Sequence, residues 1–343
     1  MHRERIIRIN RMKVIVESHI PHIRGLIEPF AQVQYLGPQE FTPAAVRDAD
    51  ALVVRTRTRC DAALLDGSRV QFIGSATIGT DHIDLDWCAA RGITVCNAPG
   101  CNAPAVAQWV MAAIGAWMRR RGTDSPRGLK LGVIGVGHIG SIVARWGTAL
   151  GFDVLPNDPP RAAREGGNFL PLEELQRRCD IITVHTPITK SGPWPTWHLI
   201  DKDFLNGMAN CRLVMNAARG PIADNAALLD WHGDIAIDCW ENEPGISRPL
   251  LDKAVVATPH IAGYSAQGKQ RGTAMVLAAL NRHFGWTIPV PVITAPATGA
   301  ATVTLDGIAA SYDILSDTAA LKASPVDFES LRNGYTLRDE FQA

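Results

Sequence analysis

The feature that most restricts the fold of this chain is the stretch Lys130-Leu-Gly-Val-Ile-Gly-Val-Gly-His-Ile-Gly140, an apolar run that breaks into G-x-G-x-x-G at Gly135, Gly137 and Gly140. It reads as a strand, a tight turn and a helix start. The first glycine permits the turn, the second lets backbone approach a ligand, and the third lets the helix pack on the strand. A pyrophosphate would then meet the free N–H groups and positive dipole end of the helix. Glycines also punctuate ordinary turns. The argument for a ligand strengthens with Asp158, at the end of the next apolar segment, Phe152 to Leu155. A carboxylate there accepts the ribose hydroxyls of NAD and repels the 2′-phosphate of NADP. The expected cofactor is NAD, held at Gly135, Gly137, Gly140 and Asp158.

Short apolar runs alternate with polar or helix-period stretches on both sides of this motif. Before it come Val14 to Val16, Val33 to Tyr35, Ala51 to Val54, Phe72 to Ile73 and Thr94 to Cys96. After it come Phe152 to Leu155, Ile181 to His185, Leu213 to Asn216, Ile235 to Asp238 and Val255 to Ala257. Near-continuous apolar strands separated by helices predict parallel sheets covered on both faces. The fold class is therefore α/β: a doubly wound NAD domain over about 109–266, inserted into a second α/β domain formed by 12–108 and 267–288. Pro99 to Pro104 is a turn-rich stop ahead of a helix over Ala105 to Arg121, with Asn102 as its expected cap. Pro289, Pro291 and Pro296 mark a linker to a C-terminal region, 289–343, with one strand-like run at Thr302 to Leu305.

Composition removes several function classes. Lysine plus arginine equals aspartate plus glutamate at 34 each, so no overall field draws nucleic acid or an anionic membrane. The seven cysteines form no C-x-x-C and no zinc spacing, and read as buried thiols of a reducing cytoplasm, with no metal expected. No apolar run reaches the length of a membrane span. Met1 to Arg11 carries four arginines and Glu4 without an apolar core or cleavage signature, and reads as an extension rather than a targeting signal.

In doubly wound sheets ligands bind beyond the carboxyl ends of the strands. Arg219, Glu243 and His260 each follow such an end. Oxidising an alcohol beside a carboxylate needs a base for the hydroxyl proton, a group that orients the base, and a cation for the carboxylate. His260 suits the first, Glu243 the second and Arg219 the third. Taken singly, each has a structural reading: a satisfied histidine, a turn carboxylate, a carbonyl cap. Their shared placement after a dinucleotide motif favours the site. Arg55, Arg57 and Arg59 follow the strand Ala51 to Val54 and point to a phosphate on the substrate, Arg55 most strongly.

The runs Asn216-Ala-Ala-Arg-Gly220 with Asp224, Asp238-Cys-Trp-Glu-Asn-Glu-Pro244 and Thr258-Pro-His260 resemble the D-2-hydroxyacid dehydrogenase family. Ala98-Pro-Gly-Cys-Asn102, Thr77-Ile-Gly-Thr-Asp-His82, Asp158-Pro-Pro-Arg161, and His260-Ile-Ala-Gly-Tyr264 with Gly268-Lys269 and Arg271-Gly-Thr273 look like one subgroup of it. The resemblance implies a flavodoxin-like first domain and catalysis by Arg219, Glu243 and His260. It also implies cofactor contacts at His138, Ile139, Thr186, Asp238 and Gly263, and substrate contacts at Thr56, Thr77 and Tyr264. For this subgroup it implies a phosphorylated 2-hydroxy acid as substrate, oxidised on the way to pyridoxal phosphate, and a homodimer joined through a C-terminal region that is shortened here. Gln108 stands where many relatives have a glutamate. The alternatives are another dehydrogenase of the family, acting on phosphoglycerate or hydroxypyruvate, and an NAD-sensing corepressor-like protein.

Overall fold

The computed structural model describes residues 12–295 and 302–342. The segment Met1 to Arg11 lies outside the described residues. The chain forms two compact units, residues 12–102 with 266–295 and residues 103–265 with 302–342.

The first unit is built on five strands, β1 (Lys13–Glu17), β2 (Gln32–Leu36), β3 (Ala51–Val54), β4 (Phe72–Ser75) and β5 (Thr94–Cys96). All pair in parallel, in the order β2-β1-β3-β4-β5, the flavodoxin-like arrangement. Strand residues alternate between faces. Val14 and Val16 pack with Val276, Leu277 and Leu280 of the helix Ala266–Phe284, while Ile15, Leu52 and Ile73 pack on the other side with Leu65 and Cys88.

Six parallel strands form the sheet of the second unit: β6 (Lys130–Ile134), β7 (Asp153–Asn157), β8 (Ile181–Val184), β9 (Leu213–Asn216), β10 (Asp234–Ile237) and β11 (Val256–Ala257). Their order is β11-β10-β9-β8-β6-β7, so the chain switches direction across the sheet between β6 and β8. The helices Ala103–Arg120 and His138–Leu150 cover one face, with Trp109 and Trp117 buried in that core. Shorter helices cover the other, including Leu172–Arg178 and Asn225–Asp230.

Three sequence expectations need correction. The helix expected from Ala105 begins at Ala103 and belongs wholly to the second unit, so the break falls after Asn102 rather than after residue 108. An unbroken helix buried along its length does not divide. Asn102 does not cap it, since its Oδ1 is buried without a hydrogen bond. The run Thr302 to Leu305 is not a strand: Thr304 accepts the N–H of Gly307 at 3.0 Å and caps the helix Leu305–Ser311.

The C-terminal residues complete the second unit. The helix Ile314–Ala323 lies along β11, the short edge strand, where Thr318 Oγ1 accepts the N–H of Ala257 at 3.2 Å. An otherwise open sheet edge is thereby closed. Leu321 and Phe328 enter the core on the same side.

Candidate active site

At the end of β6 the backbone turns at Gly135, with φ +83°, a left-handed conformation that favours glycine. A Cβ at Gly135 would lie 2.9 Å from both the His185 carbonyl carbon and Thr186 Cγ2, so the turn sits directly on the end of β8. Gly140 is held by close approach, since a Cβ there would lie 2.0 Å from the Gly135 carbonyl oxygen. Around Gly137, the residue before the helix His138–Leu150, there is open space. His138 is exposed beside it and Ile139 packs inward.

Asp158 follows β7 and bridges two elements. Its Oδ2 accepts the N–H of Val136 at 2.8 Å, and its Oδ1 accepts the N–H of Arg161 at 3.0 Å, capping the helix Pro159–Glu165. Arg161 reaches the same turn through the Val136 carbonyl at 2.6 Å, and is tied to Glu165.

Three further strand ends carry Arg219, Glu243 and His260. Arg219 follows β9, extended at φ −145°, and its Nη1 donates to the Ala218 carbonyl at 2.8 Å. Asn216 fixes that turn, because its Nδ2 donates to the Arg219 carbonyl at 2.8 Å. Glu243 lies beyond β10, and His260 beyond β11. His260 Nδ1 lies 2.5 Å from Glu243 Oε1, and each side chain is about a quarter exposed. Burial pushes the Glu243 carboxyl up, but the hydrogen bond and charge of His260, then the charge of Arg332, outweigh it and hold the group below its ordinary value. Glu243 is therefore ionised near neutral pH and can only accept. Nδ1 must carry the proton, which leaves Nε2 as the acceptor.

The histidine loop is tied down at several points. Asp238 is buried, and burial raises its carboxyl against the opposing charge of His260 and bonds from the loop. It accepts from Thr258 Oγ1 at 2.6 Å and from the N–H groups of Ile261 at 2.8 Å and Ala262 at 3.0 Å. Trp109 Nε1 donates to Thr258 Oγ1 at 2.9 Å. The buried Cys239 thiol shows how closely the charges gather. Burial and the carboxylates of Asp238 and Glu243 push it up, while Arg219 and Arg332 pull it down. Five residues thus come together that the sequence spreads over more than a hundred positions.

In the first unit, Arg55 follows β3 with its Nη1 3.5 Å from Glu17 Oε1, a carboxylate at the end of β1 that is almost wholly buried. Thr56 is exposed in the adjoining turn, and Thr77 Oγ1 lies 2.7 Å from Ser75 Oγ beyond β4. Arg59 differs from its neighbours: its Nε bonds Asp61 at 2.6 Å on the exposed surface. Tyr264 belongs to the second unit, where its hydroxyl lies 3.3 Å from Arg332 Nε.

Residues 102–262 match the family model described as D-isomer specific 2-hydroxyacid dehydrogenase, NAD binding domain. The chain is 44% identical over 340 residues to an erythronate-4-phosphate dehydrogenase of Bacteroides fragilis, covering 96% of this chain and 97% of that protein. It belongs to the D-2-hydroxyacid dehydrogenase family. A second relative of the same name, from Porphyromonas gingivalis, is 40% identical over 97% of this chain and 94% of that protein. The fold is shared with D-lactate dehydrogenase from Aquifex aeolicus, solved with NAD and lactic acid, at a TM-score of 0.67 and 24% identity, covering 80% of this chain and 96% of that one.

The residues of this D-2-hydroxyacid dehydrogenase fit NAD. Asp158 binds the glycine turn at Val136, and against Gly135 lie His185 and Thr186, whose buried Nδ1 and Oγ1 have no hydrogen-bond partner among the described residues. Enclosure alone lowers the His185 imidazole to about 3, so it stays neutral against the glycine turn. Asp238, expected to touch the cofactor, has its known bonds directed at the histidine loop. Sequence reading missed Arg332, whose charge favours the ionised Glu243. It lies in a weakly patterned C-terminal stretch and carries no motif that spacing reveals.

Proposed function

We propose that the protein oxidises 4-phospho-D-erythronate at C2 to 2-oxo-3-hydroxy-4-phosphobutanoate, with NAD as acceptor, in the synthesis of pyridoxal 5′-phosphate. The reaction class rests chiefly on the His260–Glu243 pair at the strand ends of an NAD-binding domain. Substrate identity rests on relatives named erythronate-4-phosphate dehydrogenase that match nearly the whole chain.

NAD, when bound, supplies a hydride acceptor at nicotinamide C4. The chain's residues do the rest. His260 Nε2 takes the C2 hydroxyl proton as the C2–H bond gives up its hydride. Glu243 orients the ring and stabilises the imidazolium that forms. Arg219 presents a planar fork to the substrate carboxylate and withdraws charge from the emerging carbonyl. We assign Arg55, Thr56 and Thr77 of the first unit, and Tyr264 of the second, to substrate binding. His138, Ile139, Thr186, Asp238 and Gly263 are assigned to NAD along with the glycine turn and Asp158. We further read the enzyme as a cytoplasmic homodimer. All seven cysteines are free thiols, which suits a reducing compartment, and residues 289–343 resemble the family's dimerisation region.

NADH formation measured with 4-phosphoerythronate, 3-phosphoglycerate, glycerate and lactate tests the substrate. We expect kcat/KM to favour 4-phosphoerythronate by about a hundredfold or more over the unphosphorylated acids, the scale set by charge-assisted bonds to a phosphate. Preference for glycerate or lactate would remove the phosphorylated substrate from the reading.

A further inference from the structure

We propose that Arg338, near the chain's C-terminal end, is a positioning residue for the dehydrogenase reaction, holding the turn that carries His260 against its partner Glu243. The inference rests on the reading of His260 as the base.

Residues Ile261 to Tyr264 lie between two side chains of opposite charge. Asp238 takes the N–H groups of Ile261 and Ala262. Arg338 takes the carbonyl groups of the same turn: Nη1 donates to Ile261 at 3.2 Å and Tyr264 at 3.0 Å, and Nη2 donates to Ala262 at 2.5 Å. Nη2 also donates to the Ala105 carbonyl at 3.1 Å and Nε to Gln108 Oε1 at 3.3 Å, while the Tyr335 hydroxyl, 3.2 Å from Nη1, shares a hydrogen with the turn carbonyls. Tyr312 lies under the guanidinium, 4.2 Å from carbon to ring centre. All three nitrogens of the fork are engaged, an arrangement that a lysine ammonium cannot reproduce.

His260 itself has φ +56°, a left-handed conformation for a residue with a Cβ. Such a conformation persists only where the surroundings over-determine it. Its own N–H bonds the Asp238 carbonyl at 2.9 Å and the Thr258 carbonyl at 3.0 Å. Asp238 anchors the N–H side of the turn and Arg338 the carbonyl side. The charged groups facing the pair are Asp238, through its interaction with His260, and Arg332, which interacts with Glu243 and donates to the Tyr264 hydroxyl. Gln108 fits the same purpose, since its amide holds Ser311 Oγ at 3.0 Å and the Asp339 carbonyl at 3.2 Å while its oxygen accepts from Arg338. The C-terminal segment thereby acts on the reaction through the backbone of one turn.

Arg338→Ala and Arg338→Lys test this in the full-length protein, with folding checked by circular dichroism. One readout needs no substrate: the downfield proton resonance of His260 Nδ1–H bonded to Glu243. The other is turnover. In Arg338→Ala we expect that resonance to be lost, kcat to fall about tenfold or more with KM changed less than about threefold, and added guanidinium ion to restore part of the rate. Arg338→Lys keeps the charge and serves if the alanine variant fails to fold, with the same signs and smaller losses. A resonance and kcat both at wild-type level in either folded variant would overturn the proposal, as would a fall in kcat with the resonance intact. Failure of the wild-type protein to oxidise any 2-hydroxy acid would count against the functional reading instead, while the resonance would still report on Arg338.

Discussion

In the proposed reaction His260 accepts a proton at Nε2 only while Nδ1 is committed elsewhere, and Glu243 lies 2.5 Å from Nδ1. The carboxyl of Glu243 is depressed below its ordinary value of 4.5 despite burial, because His260 and Arg332 favour the ionised form. A carboxyl with a lowered folded pKa stabilises the fold above the unfolded value and loses that contribution as pH falls through the folded one. Urea unfolding of wild type and Glu243→Gln should therefore show a difference that shrinks as pH falls below about 4.5. The same substitution should lower kcat by about tenfold to a hundredfold, because a neutral amide no longer stabilises the imidazolium. A difference that grows with acidification would assign the opposite sign to the pair. These three residues, Arg219, Glu243 and His260, were legible because each follows an apolar strand at a recognisable motif. Their mutual distances were not, since those depend on how Asp238, Thr258 and Trp109 tie the loop.

Elements were legible wherever periodicity met a distinct boundary. Ala51–Val54, Thr94–Cys96 and Leu213–Asn216 fall where their apolar runs end. The helix Ile314–Ala323 carried no such signal: Leu315 is half exposed while Ile314 and Leu321 are buried, so no single apolar stripe marks its inner face. Residues Thr302 to Leu305 read as a strand from β-branched composition, and helix capping by Thr304 overrode it. The glycine turn is the element most sensitive to a small change. Gly140→Ala would place a methyl 2.0 Å from the Gly135 carbonyl oxygen, so the turn or the helix must shift. We expect NADH affinity, followed by its fluorescence, to weaken about tenfold or more, with the far-ultraviolet dichroism unchanged. Wild-type affinity in that variant would remove the turn from the cofactor site.

Across the whole molecule, two parallel sheets arise from one repeated rule, apolar strands covered by helices on both faces. The same rule left the division of the chain imprecise, since the helix Ala103–Arg120 could be given to either unit by pattern alone and its buried tryptophans assign it to the second. With equal numbers of acidic and basic residues, recognition falls to particular side chains rather than to a general field. His260 stands at the centre of that arrangement, and replacing it tests the central claim most directly. Turnover of 4-phosphoerythronate by His260→Ala, measured as NADH formation alongside NADH binding by fluorescence, should fall by about a hundredfold to ten-thousandfold while binding stays within about threefold of wild type. Turnover within about threefold of wild type would contradict His260 as the proton acceptor.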